Sequence, residues 1–299
     1  MKRAFLLAVA ALFCITAFSQ TRKELYDSLA KSFKDKDTVQ REKIIAEWER
    51  LYPKDAELYS VYANLYLSKA MKEVVIMSKE KPEGEEFFTG KDSLGNEIYM
   101  YSTVDYDYGM LQKSLSTLEE GIAKFPDRLD FRFGLASVLY DTDNYREMVN
   151  VLCKTVERSR ENGNNWLWTL DEKTDDGEGV MLDSFQDYFN DLFNEVGEKE
   201  HAETLVNKVL QYYPNSIVFL NDKAIFAYDR GDLDGALKEF LNIHKMAPDD
   251  AVVINNIAYL YQSKKDKANA LKYYRLLEKT GDEYYAPLAK KAIAELEKN

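Results

Sequence analysis

Histidine is almost missing from this 299-residue chain, which has only His201 and His244. Imidazole supplies much of the acid–base catalysis and metal ligation that proteins perform near neutral pH. Two histidines at unrelated positions therefore speak against that chemistry. Cysteine is equally scarce, with Cys14 and Cys153 alone. No G-x-S-x-G elbow is present to expose a nucleophilic serine. Gly90-Lys91 is followed by Asp92 instead of Ser or Thr and has no glycine at position 85, so a phosphate loop is excluded. Positive charge is also in deficit: 40 Lys and Arg stand against 52 Asp and Glu, giving a net charge of −12 and a pI of about 4.9. A surface of that sign repels phosphate backbones and anionic headgroups, which argues against nucleic-acid binding. Only 13 Gly and 6 Pro accompany 45% hydrophobic residues, a composition with ample core and little tendency to disorder. No cofactor or resident metal is expected, and the chain reads as a non-enzyme.

The N-terminus has the pattern of an export signal. Lys2 and Arg3 precede an uncharged run, Ala4 to Phe18, and Ala17-Phe18-Ser19 places small residues at −3 and −1 of a cleavage site before Gln20. The run is too short to span a bilayer, and no later segment approaches eighteen consecutive apolar residues, so no transmembrane segment is expected. Bulky Phe13 before Cys14 argues against a lipid anchor. Cleavage after Ser19 removes two positive charges and no acids, taking the charge from −12 to −14. Cys153 is then left alone, with no internal disulfide. The protein is expected in the periplasm or outside the cell.

A 34-residue period organises the rest. Ala202, Ala236 and Ala270 recur at that interval, as do Val206, Phe240 and Tyr274, then Val209, Ile243 and Leu277, then Phe193, Ala227 and Tyr261. Breakers follow the same period at Gly197, Gly231 and, in the third copy, Lys265. The units close at Pro214, Pro248 and Gly281-Asp282. Each unit is helix, turn, helix, stop, with small Ala residues allowing close helix approach and Pro ending the second helix.

In these registers the chain resembles a tetratricopeptide repeat protein of exported bacterial type. The clearest unit, Ile217 to Asp250, has Leu220, Ala224, Ala227, Gly231-Asp232-Leu233, Ala236, Phe240, Ile243 and Pro248 at the family's signature positions. Asn190, Lys223 and Lys265 depart from the pattern. The resemblance implies an all-α, right-handed superhelix of helix pairs acting as a protein-interaction scaffold. Clear repeats are expected at 183–216, 217–250 and 251–284, with a capping helix at 285–299. Proline spacings place degenerate repeats at 20–55, 56–126 and 127–162, interrupted by insertions at 71–109 and 163–182. Within the first insertion, Glu86–Thr89 and Glu97–Tyr101 flank the turn Gly90–Asn96 as a β-hairpin.

The resemblance also implies that first-helix residues line a concave groove. Here those include Asp187, Tyr188 and Asp191, then Asn221, Asp222 and Tyr228, then Asn255, Asn256 and Tyr259. Amide groups suit an extended peptide backbone, and tyrosine adds contact area at low entropic cost. None of eighteen such positions is Lys or Arg, so a neutral or basic peptide or protein partner is expected. A second reading is a glycan or small-ligand binder that uses Trp166 and Trp168 of the second insertion as a stacking platform. The acids at 171–178 do not match an EF-hand spacing and read as a solvated loop.

Overall fold

The protein is described by a computed structural model covering residues 20–82 and 86–298; the expected export signal, 1–19, lies outside the described residues. Among these residues the helices come in consecutive pairs. α1 (Arg22–Lys34) packs on α2 (Thr38–Leu51), α3 (Glu57–Ala70) on α4 (Tyr108–Lys124), and α5 (Leu129–Asp141) on α6 (Tyr145–Asn162). α7 (Gly177–Asn190) continues through a π turn, Asp191–Glu195, and packs on α8 (Lys199–Tyr212). α9 (Ile217–Asp229) pairs with α10 (Leu233–Met246), and α11 (Ala251–Ser263) with α12 (Lys267–Thr280), after which α13 (Tyr285–Lys298) packs on α12. The fold is an all-α solenoid of tetratricopeptide type carrying a small β-sheet.

Local chemistry sets the helix ends. Thr21 and Glu24 form a reciprocal capping box at α1, and the carboxylates of Asp37, Asp107, Asp176, Asp232, Asp250 and Asp266 each accept a backbone N–H in the first turn of the next helix. The tight turn inside each clear repeat uses a left-handed residue. Gly197 and Gly231 adopt φ of 74° and 81°, and Lys265 takes the same conformation at 61°, so the missing glycine leaves the turn in place. Asn190 and Lys223, the other departures, are exposed.

Period-34 residues build the core. Ala202, Ala236 and Ala270 are completely buried, and Val206, Phe240, Tyr274, Val209, Ile243 and Leu277 are buried with them. Phe193, Ala227 and Tyr261 are half-buried against the same core. An N-terminal cluster around Trp48, Ile44 and Leu25 packs on the first face of α3.

α7 begins six residues before Asp183, inside the stretch read as insertion. Asp176 caps it, and Gly177 presses against the loop before it: a Cβ there would lie 2.2 Å from the Asn164 carbonyl oxygen. The rest of that loop runs across the mouth of α5. Leu167 accepts from Leu129 N–H and donates to the Asp127 carbonyl. A buried ion cluster then ties the loop to two repeats. Arg128 contacts Glu57 at 2.8 Å, Asp130 at 2.7 Å and Asp171 at 3.3 Å, and Leu170 N–H donates to Glu57 at 2.6 Å. Arg22 extends it to Asp171 and Asp55.

Between α3 and α4 the chain forms β1 (Met71–Ser78), β2 (Phe88–Lys91) and β3 (Glu97–Tyr106), in spatial order β1-β3-β2. The expected hairpin is β2–β3. Its turn is held by the Asp92 carboxylate, which accepts from Leu94 and Asn96 N–H, and by Gly95 at φ 83°. The additional strand β1 pairs antiparallel with β3 along its whole length, from Met71 opposite Tyr106 to Ser78 opposite Tyr99. Its Val-Val-Ile core is β-prone, but its partner lies some thirty residues away, which local pattern does not reveal.

Candidate functional site

The first helices of successive repeats share one face, and side chains cross it from helix to helix. Tyr188 on α7 donates to the Phe133 carbonyl of α5 at 3.4 Å. Gln186 donates to Asp222 of α9 at 3.3 Å, and Asn256 of α11 donates to Asn221 at 2.9 Å. The Tyr228 and Tyr259 hydroxyls lie 3.3 Å apart with their rings inclined at 68°. Tyr188, Asn221, Asp222, Tyr228, Asn256 and Tyr259 thus each reach a neighbouring first helix.

They are not equally accessible. Asp187, Tyr228 and Tyr259 are exposed, while Tyr188, Asp191, Asn255 and Asn256 are half-buried. The expectation of an open lining fails at Asn221 and Asp222, which are buried. Neighbouring first helices approach closely enough for Asn221 to accept from Asn256 of α11 and Asp222 from Gln186 of α7, so their polar atoms face protein. Asp222 is 2% exposed; its Oδ2 and the Oε1 of Gln186 have no hydrogen-bond partner, and burial pushes the Asp222 carboxyl up to about 7, only partly opposed by the Gln186 bond.

Negative charge concentrates where α5 faces α7. Burial raises the Asp141 carboxyl above the usual range; burial and then the charges of Asp187 and Glu195 raise Asp191. The Tyr188 hydroxyl is raised above the ordinary tyrosine range by burial and then by Asp141, Asp191 and Asp187; Tyr140 is raised by burial and then by four surrounding carboxylates, led by Asp191. Among the described residues none of Asp141, Asp187, Asp191 and Glu195 forms an ion pair. This contrasts with Asp229, at the end of α9, which pairs with Lys199 at 2.5 Å. This face can accept hydrogen bonds and positive charge, and offers tyrosine rings beside them.

Tyr140 and Asp141 were not among the expected lining residues, though the register contains them. They precede Tyr228 and Asp229 by 88 positions, which is two periods plus the 20-residue insertion. Subtracting the insertion before reading the groove finds them.

Trp166 is not a binding platform: it is 1% exposed beneath the second insertion, with Arg132 5.7 Å from its ring. A large aromatic in an irregular loop gains most by packing under it. Trp168 is 37% exposed and leans on Phe133 at 6.1 Å. Of the acidic loop, Asp171 serves Arg128 and Arg22, Asp176 caps α7, and Glu178 accepts from Asn164. His201 meets Glu198 at 2.9 Å, and His244 packs edge-on against Tyr273. Cys153 is half-buried, and its thiol is pushed up by burial, so it has the properties of a packing residue. A separate cavity of about 570 Å³ lies between α2, α3 and α4, where Tyr62 bonds to Glu49 and Lys124 to Tyr59, its polar groups engaging one another.

No family model matches the chain, and no curated protein matches it. Solved structures do overlap with it. YrrB, described as a tetratricopeptide repeat protein with an unusual peptide-binding site, aligns over 83% of this chain and 97% of its own at 16% identity and a TM-score of 0.40. MamA aligns over 58% of this chain and 91% of its own at 11% identity and 0.37. A tetratricopeptide repeat protein from Parabacteroides merdae aligns over 92% of both chains at 15% identity and 0.36. The fold assignment rests on the helix pairs and their 34-residue spacing in this chain itself.

Proposed function

We propose that the protein is an exported, noncatalytic interaction scaffold that holds an extended, neutral or basic peptide segment of a partner protein on the face of its first helices. The observation that carries this reading is the group of four carboxylates, Asp141, Asp187, Asp191 and Glu195, that face Tyr140 and Tyr188 without a cation partner among the described residues. Lys or Arg side chains of a bound segment would relieve that mutual repulsion, and the exposed Tyr228 and Tyr259 would pack on its apolar parts. Asn255 and Asn256 supply amide groups for its backbone. Export rests on the N-terminal signal pattern, and N-terminal sequencing of the secreted product should read from Gln20.

The test compares fluorescein-labelled extended peptides of equal length, one Lys-rich, one neutral and one acidic, by polarisation. The Lys-rich and neutral peptides should bind and the acidic one should not. Affinity for the Lys-rich peptide should fall with added salt and drop about tenfold in Asp187→Asn/Asp191→Asn, roughly what losing two part-buried charge contacts implies. Equal binding of the acidic peptide, or insensitivity to both salt and the double substitution, would overturn the charge argument. The glycan reading loses one of its two rings to the core and has no observation in its favour.

A further inference from the structure

Tyrosines aside, the most exposed large apolar side chains of the described residues gather on the small sheet and its turn: Leu94 at 84%, Phe88 at 78%, Met77 at 71% and Val75 at 69%. Val75 and Met77 share a sheet face with Met100, Val104 and Phe88, because strand pairing sets Met77 and Phe88 opposite Met100, and Glu73 opposite Val104. No helix covers that face of the described residues.

The edge of the sheet is open as well. β1 bonds to β3 on one side, and no backbone hydrogen bond of the described residues reaches its other side. It is eight residues long, unbroken by a bulge and free of proline, so the protection left to it is the charge of Lys72 and Glu73 at its first end. Half of its backbone groups face water in a row ready for another strand.

The sequence along this edge is complementary to itself. Lys72-Glu73 and Lys79-Glu80 bracket the uncharged run Val74-Val75-Ile76-Met77-Ser78. We propose that β1 pairs antiparallel with β1 of a second copy about a twofold axis at Ile76, joining two three-stranded sheets into one of six strands. β1 ends at Ser78 and Lys79-Glu80 form the bend after it, so in that register the bend straightens on pairing to bring Lys79 of the second copy opposite Glu73 and its Glu80 opposite Lys72, and the symmetry repeats both pairs. Val75 then lies opposite Met77 on the apolar face, covering the two exposed side chains nearest the edge. Axes at Lys72 or Glu73 set like charges against each other, and axes at Val74 or Val75 set charges opposite apolar or uncharged residues. The Ile76 register alone among these satisfies all four charges. Glu73, Lys79 and Glu80 have no ion pair among the described residues, and Lys72 has only the exposed contact to Asp107 at 3.2 Å, weak enough to exchange.

The experiment is sedimentation equilibrium of the purified full chain across micromolar concentrations. The wild type should show a concentration-dependent dimer. Lys72→Glu/Glu73→Lys turns every cross-strand pair repulsive and should be monomeric, with the far-UV circular dichroism of the folded chain retained. Adding Lys79→Glu/Glu80→Lys restores opposite charges and should restore the dimer. In a chain carrying Cys14→Ala and Cys153→Ala, Ile76→Cys at the axis should oxidise to a covalent dimer and Val104→Cys, one strand inward, should not. A wild type that stays monomeric, a dimer indifferent to the first charge swap, or no rescue by the second would each overturn the proposal. A monomer that instead captures a strand of another protein at this edge would overturn it too.

Discussion

Gln186 donates its amide N–H to Oδ1 of Asp222 at 3.3 Å, across the gap between α7 and α9, and leaves one oxygen on each side chain without a partner. Both groups are acceptor-rich, and the pair lacks one donor. A proton on Oδ2 of Asp222 supplies it, letting acid and amide bond twice. Geometry and burial therefore point in one direction, toward a neutral carboxyl with its pKa pushed up to about 7.

Stability is expected to follow that proton. Because the folded pKa is raised above the unfolded value of 3.8, the folded chain holds a proton that the unfolded chain has released between those two pH values. The Asp222 contribution is most favourable below the unfolded value and is lost as pH rises through about 7, a change on the order of a few kcal/mol. Asp222→Asn mimics the neutral form. It should match the wild type near pH 4 and exceed it in urea midpoint near pH 8, and an unchanged pH slope in the variant would refute the assignment.

Removing Trp166 should cost about 3–5 kcal/mol as Trp166→Ala, since its whole ring is buried under the second insertion. Trp168→Ala should cost roughly 1 kcal/mol, because only part of that ring is covered, against Phe133. Iodide quenching provides an independent check: the quenchable part of the emission should vanish in Trp168→Phe and persist in Trp166→Phe.

The Arg128 and Glu57 pair is 1% exposed on both sides. Arg128→Met leaves Glu57 buried with the Leu170 N–H, the Ser60 hydroxyl at 3.3 Å and only the longer contact to Arg22 at 3.9 Å, at a cost of about 3 kcal/mol. Burial already raises the Glu57 carboxyl against the pull of Arg128, so loss of that arginine raises it further. The deficit should therefore shrink as pH falls, and Arg128→Met/Glu57→Gln should recover part of it at neutral pH. Equal midpoints for the single and double variants in urea would show that the bare carboxylate is not the source of the loss.

At Gly177 the constraint is space. A methyl group there meets the Asn164 carbonyl oxygen at 2.2 Å and Trp166 Cδ1 at 3.0 Å, so Gly177→Ala must displace backbone. A loss of about 1–3 kcal/mol is expected. Gly179→Ala meets only the movable Asp176 carboxylate and should cost less in the same melting experiment.

Local periodicity explains how much was legible beforehand. Ala236, Phe240 and Ile243 could be placed in the core because helix faces repeat every three to four residues and repeats every 34, and both intervals are visible along one chain. The turn at Lys265 kept its left-handed shape despite losing its glycine, since its neighbours in the repeat demanded it. The groove register named residues of the first helices, of which Asn221 and Asp222 are buried. Whether a polar residue on those helices meets solvent depends on how near the next first helix comes, and spacing within a helix carries no such information.

The sequence by itself determined the paired-helix solenoid, its breakers, a hairpin turn within Gly90–Asn96, of which Gly90 and Lys91 prove to be strand, and the poverty of catalytic groups, because each follows from neighbours a few residues or one period away. Only the tertiary structure decided that Trp166 is core, that Asp222 is buried beside Gln186 and that β1 adds a third strand with an open edge. Each of those depends on contacts between segments well separated along the chain, whose closeness is set by the packing of successive repeats and by the course of the two insertions.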